Sequence, residues 1–135
     1  MFKELLKNDF IIFDGAMGTM LQKNGMKGGE LPERYNIEKK EIVESIHREY
    51  LRAGAMVLTT NTFGANSHKL DETELTVDQV ITEAVARAKA AIAAEGREAW
   101  IALDIGPIGQ LMEPMGTLSF DQAYELVKEE VLAGV

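Results

Sequence analysis

Short apolar runs that alternate with amphipathic segments constrain most strongly what this chain can fold into. The runs cover residues 10–13, 56–58 and 100–103, and each is apolar at consecutive rather than alternate positions. Strands that are buried on both faces have this pattern, and such strands belong to parallel sheets covered by helices. The order β, α, β, α, β, α therefore predicts a parallel α/β architecture with right-handed crossovers.

Three helices are predicted between and after these runs, over about 39–53, 77–96 and 120–133. Their apolar residues recur at spacings of three and four, which is the period of one helical face. Thr76 and Ser119 precede the second and third helices, and each is followed three residues later by a glutamine, the spacing of a capping box. These signals predict where the two helices begin.

Charge and cysteine content exclude several classes of function. The chain of 135 residues has 14 Lys and Arg against 22 Asp and Glu, and it has no cysteine. This acidic balance argues against a nucleic-acid partner, which requires a basic surface. No apolar run approaches the roughly 18 residues of a membrane span, and the first residues do not have the pattern of a secretory signal. Disulfides and thiolate metal sites cannot form within the chain, and we expect a cytoplasmic protein.

Each predicted strand is followed by polar or glycine-rich residues, over 14–19, 59–66 and 104–109. The connections that follow the helices are short by comparison. In barrels and in open sheets, chemistry gathers at the carboxyl ends of parallel strands. We therefore expect one functional face, built from these three segments.

Two carboxylates and a run of hydrogen-bonding side chains are the candidate site residues on that face. Asp14 could bind an ammonium group or act as a base, or it could simply stabilise a turn. Thr60 and Thr62 should point to one side of their strand and Asn61 to the other. The threonines could instead be ordinary β-branched strand residues. Asp104 is a second strand-end carboxylate, and a turn role explains it less well.

Two other functions stay open on the residues alone. One is a metal-dependent phosphohydrolase that uses Asp14, although such enzymes need Asp-x-Asp and this chain has Ala16 in the second position. The other is a non-catalytic α/β module that binds a small ligand. His47 and His68 are expected to be structural or loop residues, since two histidines without cysteines do not make a credible zinc site.

The last helix suggests that more chain follows. The first two predicted helices end in Gly54 and Gly96, and a strand begins directly after each. The third ends in Gly134, one residue before the end of the sequence. We therefore expect residues 1–135 to be an N-terminal fragment of about three βα units, with no second domain within the chain.

The segments 14–19, 46–55, 59–66 and 104–107 together resemble the homocysteine S-methyltransferase family, most of all its cobalamin-dependent members. The resemblance spans about Phe10 to Val135, and the motifs occur in the family's order. It implies a (β/α)₈ barrel in which this chain is the N-terminal portion. It also implies transfer of a methyl group to homocysteine, which gives methionine.

The resemblance further implies a zinc ion held by three cysteines on later strands, which this chain lacks. Zinc would bind the homocysteine sulfur as a thiolate, which attacks the methyl group. The expected donor is methylcobalamin, served by cobalamin and folate modules of the same polypeptide or a partner chain; a sulfonium or betaine donor stays open. The fragment alone is expected to be inactive, with no catalytic residue of its own.

The substrate contacts implied by the resemblance lie at the matched strand ends. Asp14 and Gly15 would lie beside the amino acid part of homocysteine, together with Thr60, Asn61 and Thr62. Asp104 belongs to the third matched motif and is included among the substrate-binding residues. Carboxylate, hydroxyl and amide groups suit a ligand that carries both an ammonium and a carboxylate group.

Overall fold

Two parallel strands and three long helices form the framework of the computed structural model, which describes residues 6–7 and 10–135. In chain order the elements are α1 Met17–Lys23, a 3₁₀ turn Pro32–Arg34, α2 Tyr35–Glu38, α3 Lys40–Arg52, β1 Val57–Thr59, α4 Ser67–Leu70, α5 Val77–Glu95, β2 Trp100–Ala102 and α6 Phe120–Gly134. The α/β class expected from the sequence is confirmed.

The three predicted helices correspond to α3, α5 and α6, and their ends follow the capping signals. Thr76 Oγ1 accepts the N–H of Gln79 at the start of α5. Ser119 and Gln122 form a complete capping box at the start of α6. Helix α5 ends at Gly96, whose φ of +60° lies in the left-handed region that a glycine adopts without strain.

The strands β1 and β2 pair in parallel, with Val57 opposite Trp100 and Thr59 opposite Ala102. The expected strand at 10–13 is reduced to a single parallel bridge between Phe13 and Val57. The side chains of this run are also not covered on both faces, since Phe10 is 91% exposed. Among the described residues there are thus two strands, and the expected third is not confirmed. The apolar pattern predicts cover on both faces, but Ile12 and Phe13, which are consecutive in the run, are 56% and 52% exposed among the described residues.

The apolar core lies between the long helices and the sheet. Leu51 of α3 and Leu58 of β1 pack against Ala88 and Ala91 of α5. Two further clusters extend this core; the buried residues of one are Ala65, Leu70, Val77, Val80 and Ile81, and those of the other are Leu21, Tyr35, Val43 and Ile46. Because the helices pack against the sheet, this core supports the residues that follow the strands.

None of the described helices combines the length and the apolar composition that crossing a membrane would require.

The buried histidine of α3 should make stability depend on pH. His47 is fully buried, and neither ring nitrogen has a hydrogen-bond partner among the described residues. Burial lowers the pKa of this imidazole from 6.5 to about 4. Between pH 6.5 and about pH 4, His47 is protonated in the unfolded chain but neutral in the folded one. The free energy of unfolding should therefore fall as the pH falls through this range, by about 3 kcal/mol in all.

Urea unfolding between pH 7 and pH 4 measures this dependence in matched variants. His47→Gln, which cannot titrate, should remove that part of the pH dependence, whereas the same change at the exposed His68 should not. A His47→Gln variant with the pH dependence of the wild type would show that His47 is not the responsible group.

Candidate functional site

The segments that follow the strands meet at one end of the sheet, as expected, and enclose a cleft of about 420 Å³. The residues around it that matter for its chemistry are Met17, Glu33, Thr62, Phe63, Lys69 and Asp104. The cleft therefore combines apolar walls with two carboxyl groups and one ammonium group. A cleft of this size holds a small molecule.

Asp14 lies half-buried directly after the Phe13 bridge. Its Oδ2 accepts the backbone N–H of Thr59 at 2.9 Å, and its own N–H donates to the Val57 carbonyl at 3.0 Å. Burial raises the pKa of this carboxyl, hydrogen bonds from Thr59 act in the opposite direction, and the charge of Asp104 adds to the rise. The side chain is thus oriented by β1 and is electrostatically coupled to Asp104.

Gly15 packs directly against Tyr50 of α3. A Cβ on this glycine would lie 2.8 Å from the Tyr50 hydroxyl oxygen, closer than a real side chain comes. The same hydroxyl donates to the Ala16 carbonyl at 3.0 Å. The turn that carries Asp14 is therefore fixed onto α3, and a larger residue at position 15 would displace the Tyr50 ring.

The hydroxyls of Thr60 and Thr62 join the ends of the two strands in a closed ring. Thr60 Oγ1 accepts the N–H of Asp104 at 3.0 Å, and Thr62 Oγ1 donates to the Asp104 carbonyl at 2.7 Å. The two hydroxyl oxygens are 2.7 Å apart, and because Thr62 has given its proton to the carbonyl, Thr60 donates to Thr62. Neither hydroxyl keeps a proton for a ligand, although each can still accept a hydrogen bond.

Asn61 points to the opposite side of the strand, as its place in the alternation predicts. Its Nδ2 donates to the Pro32 carbonyl at 2.8 Å and to Asn36 Oδ1 at 3.0 Å. Asn36 returns a hydrogen bond to the Asn61 carbonyl at 2.8 Å. In this structure the Asn61 side chain holds the segment 32–36 against the strand end.

Asp104 carries the second carboxyl group of the face and lines the cleft. Its backbone belongs to the threonine ring, but within the described part of the chain its carboxyl makes no hydrogen bond. Burial raises the pKa of this carboxyl. The Asp104 backbone is therefore fixed by the threonines, while the carboxyl is free to contact a ligand.

Glu33 and Lys69 also belong to this site, and the sequence reasoning missed both. Glu33 is only 2% exposed and accepts the N–H of Gly64 at 2.5 Å. The Lys69 ammonium lies 5.4 Å from the centroid of the Phe63 ring. Pro32-Glu33 reads as an ordinary helix start, and nothing local shows that Glu33 contacts a loop 31 residues later in the chain.

The described residues contain no cluster of three or more His, Cys, Asp or Glu side chains that could hold a metal ion. The sequence also lacks cysteine altogether. The residues present therefore do not fit the three-cysteine zinc site that the resemblance implies, and no chemical step is derived through that metal.

The strand-end cleft of this parallel α/β protein is lined by the carboxyls of Glu33 and Asp104 and the ammonium of Lys69, groups that suit a small polar ligand. Asp14 and Gly15 follow the neighbouring bridge at Phe13 and are not part of that lining. Residues 11–135 match the family model described as homocysteine S-methyltransferase. The chain therefore belongs to the homocysteine S-methyltransferase family. The description of this family names a methyltransferase, and neither a phosphohydrolase nor a non-catalytic module.

The curated relatives include methionine synthases and betaine–homocysteine S-methyltransferases. A methionine synthase of Mycobacterium leprae is 36% identical over 80 residues, which cover 53% of this chain and 6% of that protein. A betaine–homocysteine S-methyltransferase 1 of Xenopus tropicalis is 38% identical over 72 residues, which cover 53% of this chain and 18% of that protein. The chain thus matches only a small part of the length of these relatives.

A solved structure shares the fold over nearly the whole chain. It is the homocysteine methyltransferase MmuM from Escherichia coli in its metallated form, with a TM-score of 0.81 at 22% identity. The match covers 97% of this chain and 52% of that chain. The chain therefore spans about half the length of this neighbour, and the likeness concerns the fold.

Proposed function

We propose that this chain is the N-terminal, substrate-holding part of a (β/α)₈ homocysteine S-methyltransferase of the methionine synthase type. The whole protein would transfer a methyl group to homocysteine and give methionine. The observation that carries the proposal is the placement of two carboxyls, Asp14 and Asp104, on neighbouring strand ends, where Asp14 accepts the Thr59 N–H and the Asp104 backbone is bound by Thr60 and Thr62. The cytoplasmic location stays a prediction from the sequence.

In this proposal Asp14 binds the ammonium group of homocysteine. A carboxylate that is already oriented by Thr59 loses little freedom when it forms a charge-assisted hydrogen bond. Gly15 keeps the turn against α3, and the ring of Thr60 and Thr62 holds Asp104 in place. These residues bind and orient the substrate, and none of them takes part in bond making.

The remaining parts of the enzyme are proposed to lie outside this chain. The zinc ligands would be cysteines of later strands, since this chain has none. Methylcobalamin is the proposed donor, and cobalamin and folate modules would belong to the same polypeptide or to a partner chain. The methionine synthase relative supports methylcobalamin as the donor. The betaine–homocysteine S-methyltransferase relative is the reason that betaine is the alternative donor.

The proposal of a complete barrel is supported by exposed apolar surface, which further strands and helices would cover. Ile12 and Phe13 lie at one edge of the sheet and are 56% and 52% exposed. On α6, Phe120 and Leu132 are 70% and 67% exposed. An exposed sheet edge and apolar helix face of this kind favour contact with more protein.

A methyl-transfer assay with the full-length protein and zinc tests the proposal. Homocysteine is incubated in turn with isotopically labelled methylcobalamin, a methylsulfonium donor and betaine, and labelled methionine is measured by mass spectrometry. We expect methionine from methylcobalamin. Methionine from another donor alone would correct the type of enzyme, and no methionine from any donor would contradict the proposed function.

A further inference from the structure

A buried carboxylate on the wall of the cleft has one oxygen without a partner. Glu33 lies in the 3₁₀ turn, and its Oε1 accepts the N–H of Gly64. Its Oε2 is buried and has no hydrogen-bond partner among the described residues. Buried polar atoms are nearly always paired in folded proteins, so an unpaired one beside a cleft points to a missing donor.

Gly64 makes the close approach of this carboxylate possible. A Cβ at Gly64 would lie 2.9 Å from Glu33 Oε1 and 3.3 Å from Oε2, so any side chain there would displace the carboxylate. The glycine and the acid thus fit together at the base of the loop that follows β1. The carboxylate is held in this position by the loop backbone.

Neighbouring groups do not neutralise Glu33 by direct contact. Burial raises the pKa of Glu33, while backbone hydrogen bonds, including that from Gly64, and the charge of Lys69 act in the opposite direction. Lys69 and Asp104 line the same cleft, and Lys69 forms no ion pair with Glu33 within the described part of the chain. The nearby hydroxyls of Thr60 and Thr62 have no proton to offer, because both protons are used within the ring. A ligand bound in the cleft would supply the missing donor.

We propose that Glu33 is a specificity-determining residue of the cleft, whose Oε2 accepts a hydrogen bond from the ammonium group of the amino-acid substrate. This inference rests on the proposed function. Of the groups of homocysteine, the carboxylate donates no hydrogen bond and the thiol donates only weakly, whereas the ammonium has three N–H donors. A hydrogen bond to Glu33 leaves two of these N–H donors for other acceptors.

The test compares Glu33→Gln with Glu38→Gln in the full-length protein. The glutamine oxygen can still accept the Gly64 N–H, so the loop keeps its support while the anionic acceptor is lost. Glu38 is an exposed residue of the same region that pairs with Arg34, and it serves as the matched control. Two quantities are measured: the KM for homocysteine, and the Ki of 4-sulfanylbutanoate, which is homocysteine without its amino group.

Glu33→Gln should raise the KM for homocysteine about 10- to 100-fold, the effect of losing a charged hydrogen bond, and leave the Ki of 4-sulfanylbutanoate unchanged. Glu38→Gln should change neither. If Glu33→Gln does not fold, Glu33→Asp, which keeps the charge but withdraws it from the cleft, should show the same selective rise.

An unchanged KM in an active Glu33→Gln enzyme would overturn this inference alone. Equal rises in KM and Ki would also overturn it, since they would show that Glu33 acts only through the shape of the loop. If the wild type makes no methionine from homocysteine, the proposed function fails, and this inference fails with it.

Discussion

Asp14→Asn should lower kcat/KM for homocysteine by about 100-fold or more, with most of the loss in KM. The asparagine oxygen can still accept the Thr59 N–H that orients Asp14, so the strand end should keep its shape. What is lost is the negative charge that attracts the substrate ammonium. A 100-fold loss corresponds to about 3 kcal/mol, a reasonable value for a charged hydrogen bond away from bulk water.

Initial rates of methionine formation over a range of homocysteine concentrations measure this effect in the full-length protein. Asp71→Asn is the matched control, because Asp71 is an exposed residue that follows α4. Circular dichroism of both variants checks that the fold is kept. A well-folded Asp14→Asn enzyme with kcat/KM within threefold of the wild type would remove Asp14 from the substrate site.

Gly106→Ala should destabilise the protein by about 3 kcal/mol or more and widen the cleft. A Cβ at Gly106 would lie 2.1 Å from the Phe63 carbonyl oxygen and 2.9 Å from Cγ of the Phe63 ring, far inside van der Waals contact. The nearest atom belongs to the backbone and cannot rotate away, so the loops that follow β1 and β2 must separate. Overpacking that shifts backbone costs this order of free energy.

Denaturant unfolding of the full-length protein measures this loss, with Gly28→Ala as the matched control. A Cβ at Gly28 would have no neighbouring atom within 4 Å, and Gly28 does not adopt a left-handed φ, so alanine should be neutral there. Equal unfolding midpoints for the two variants would show that the strand-end loops are not packed as described.

The long helices could be predicted from the sequence because their signals are local. Apolar spacing and the caps at Thr76 and Ser119 are contained within each segment. The short helices α1 and α4 were not predicted. Helix α1 starts inside a glycine-containing motif, and α4 depends on one cap, in which Asn66 accepts the N–H of Lys69. The sequence alone does not show that the Asn66 side chain forms this cap.

Strand pairing was harder to predict, because a strand is defined by hydrogen bonds to a partner strand that is distant in the sequence. The run at 10–13 has the apolar pattern of a buried strand, yet it contributes only the bridge from Phe13 to Val57. The site shows the same limit. The polar strand ends were visible in the sequence, but the ring of Thr60 and Thr62 depends on the backbone of Asp104, more than 40 residues away.

A crystal structure of the full-length protein with homocysteine tests the central claim most directly. We expect the ammonium group of homocysteine within hydrogen-bond distance of the Asp14 carboxylate, in the cleft formed by the segments that follow β1 and β2. Homocysteine bound elsewhere, or bound in this cleft with its amino acid part turned away from Asp14, would contradict the account.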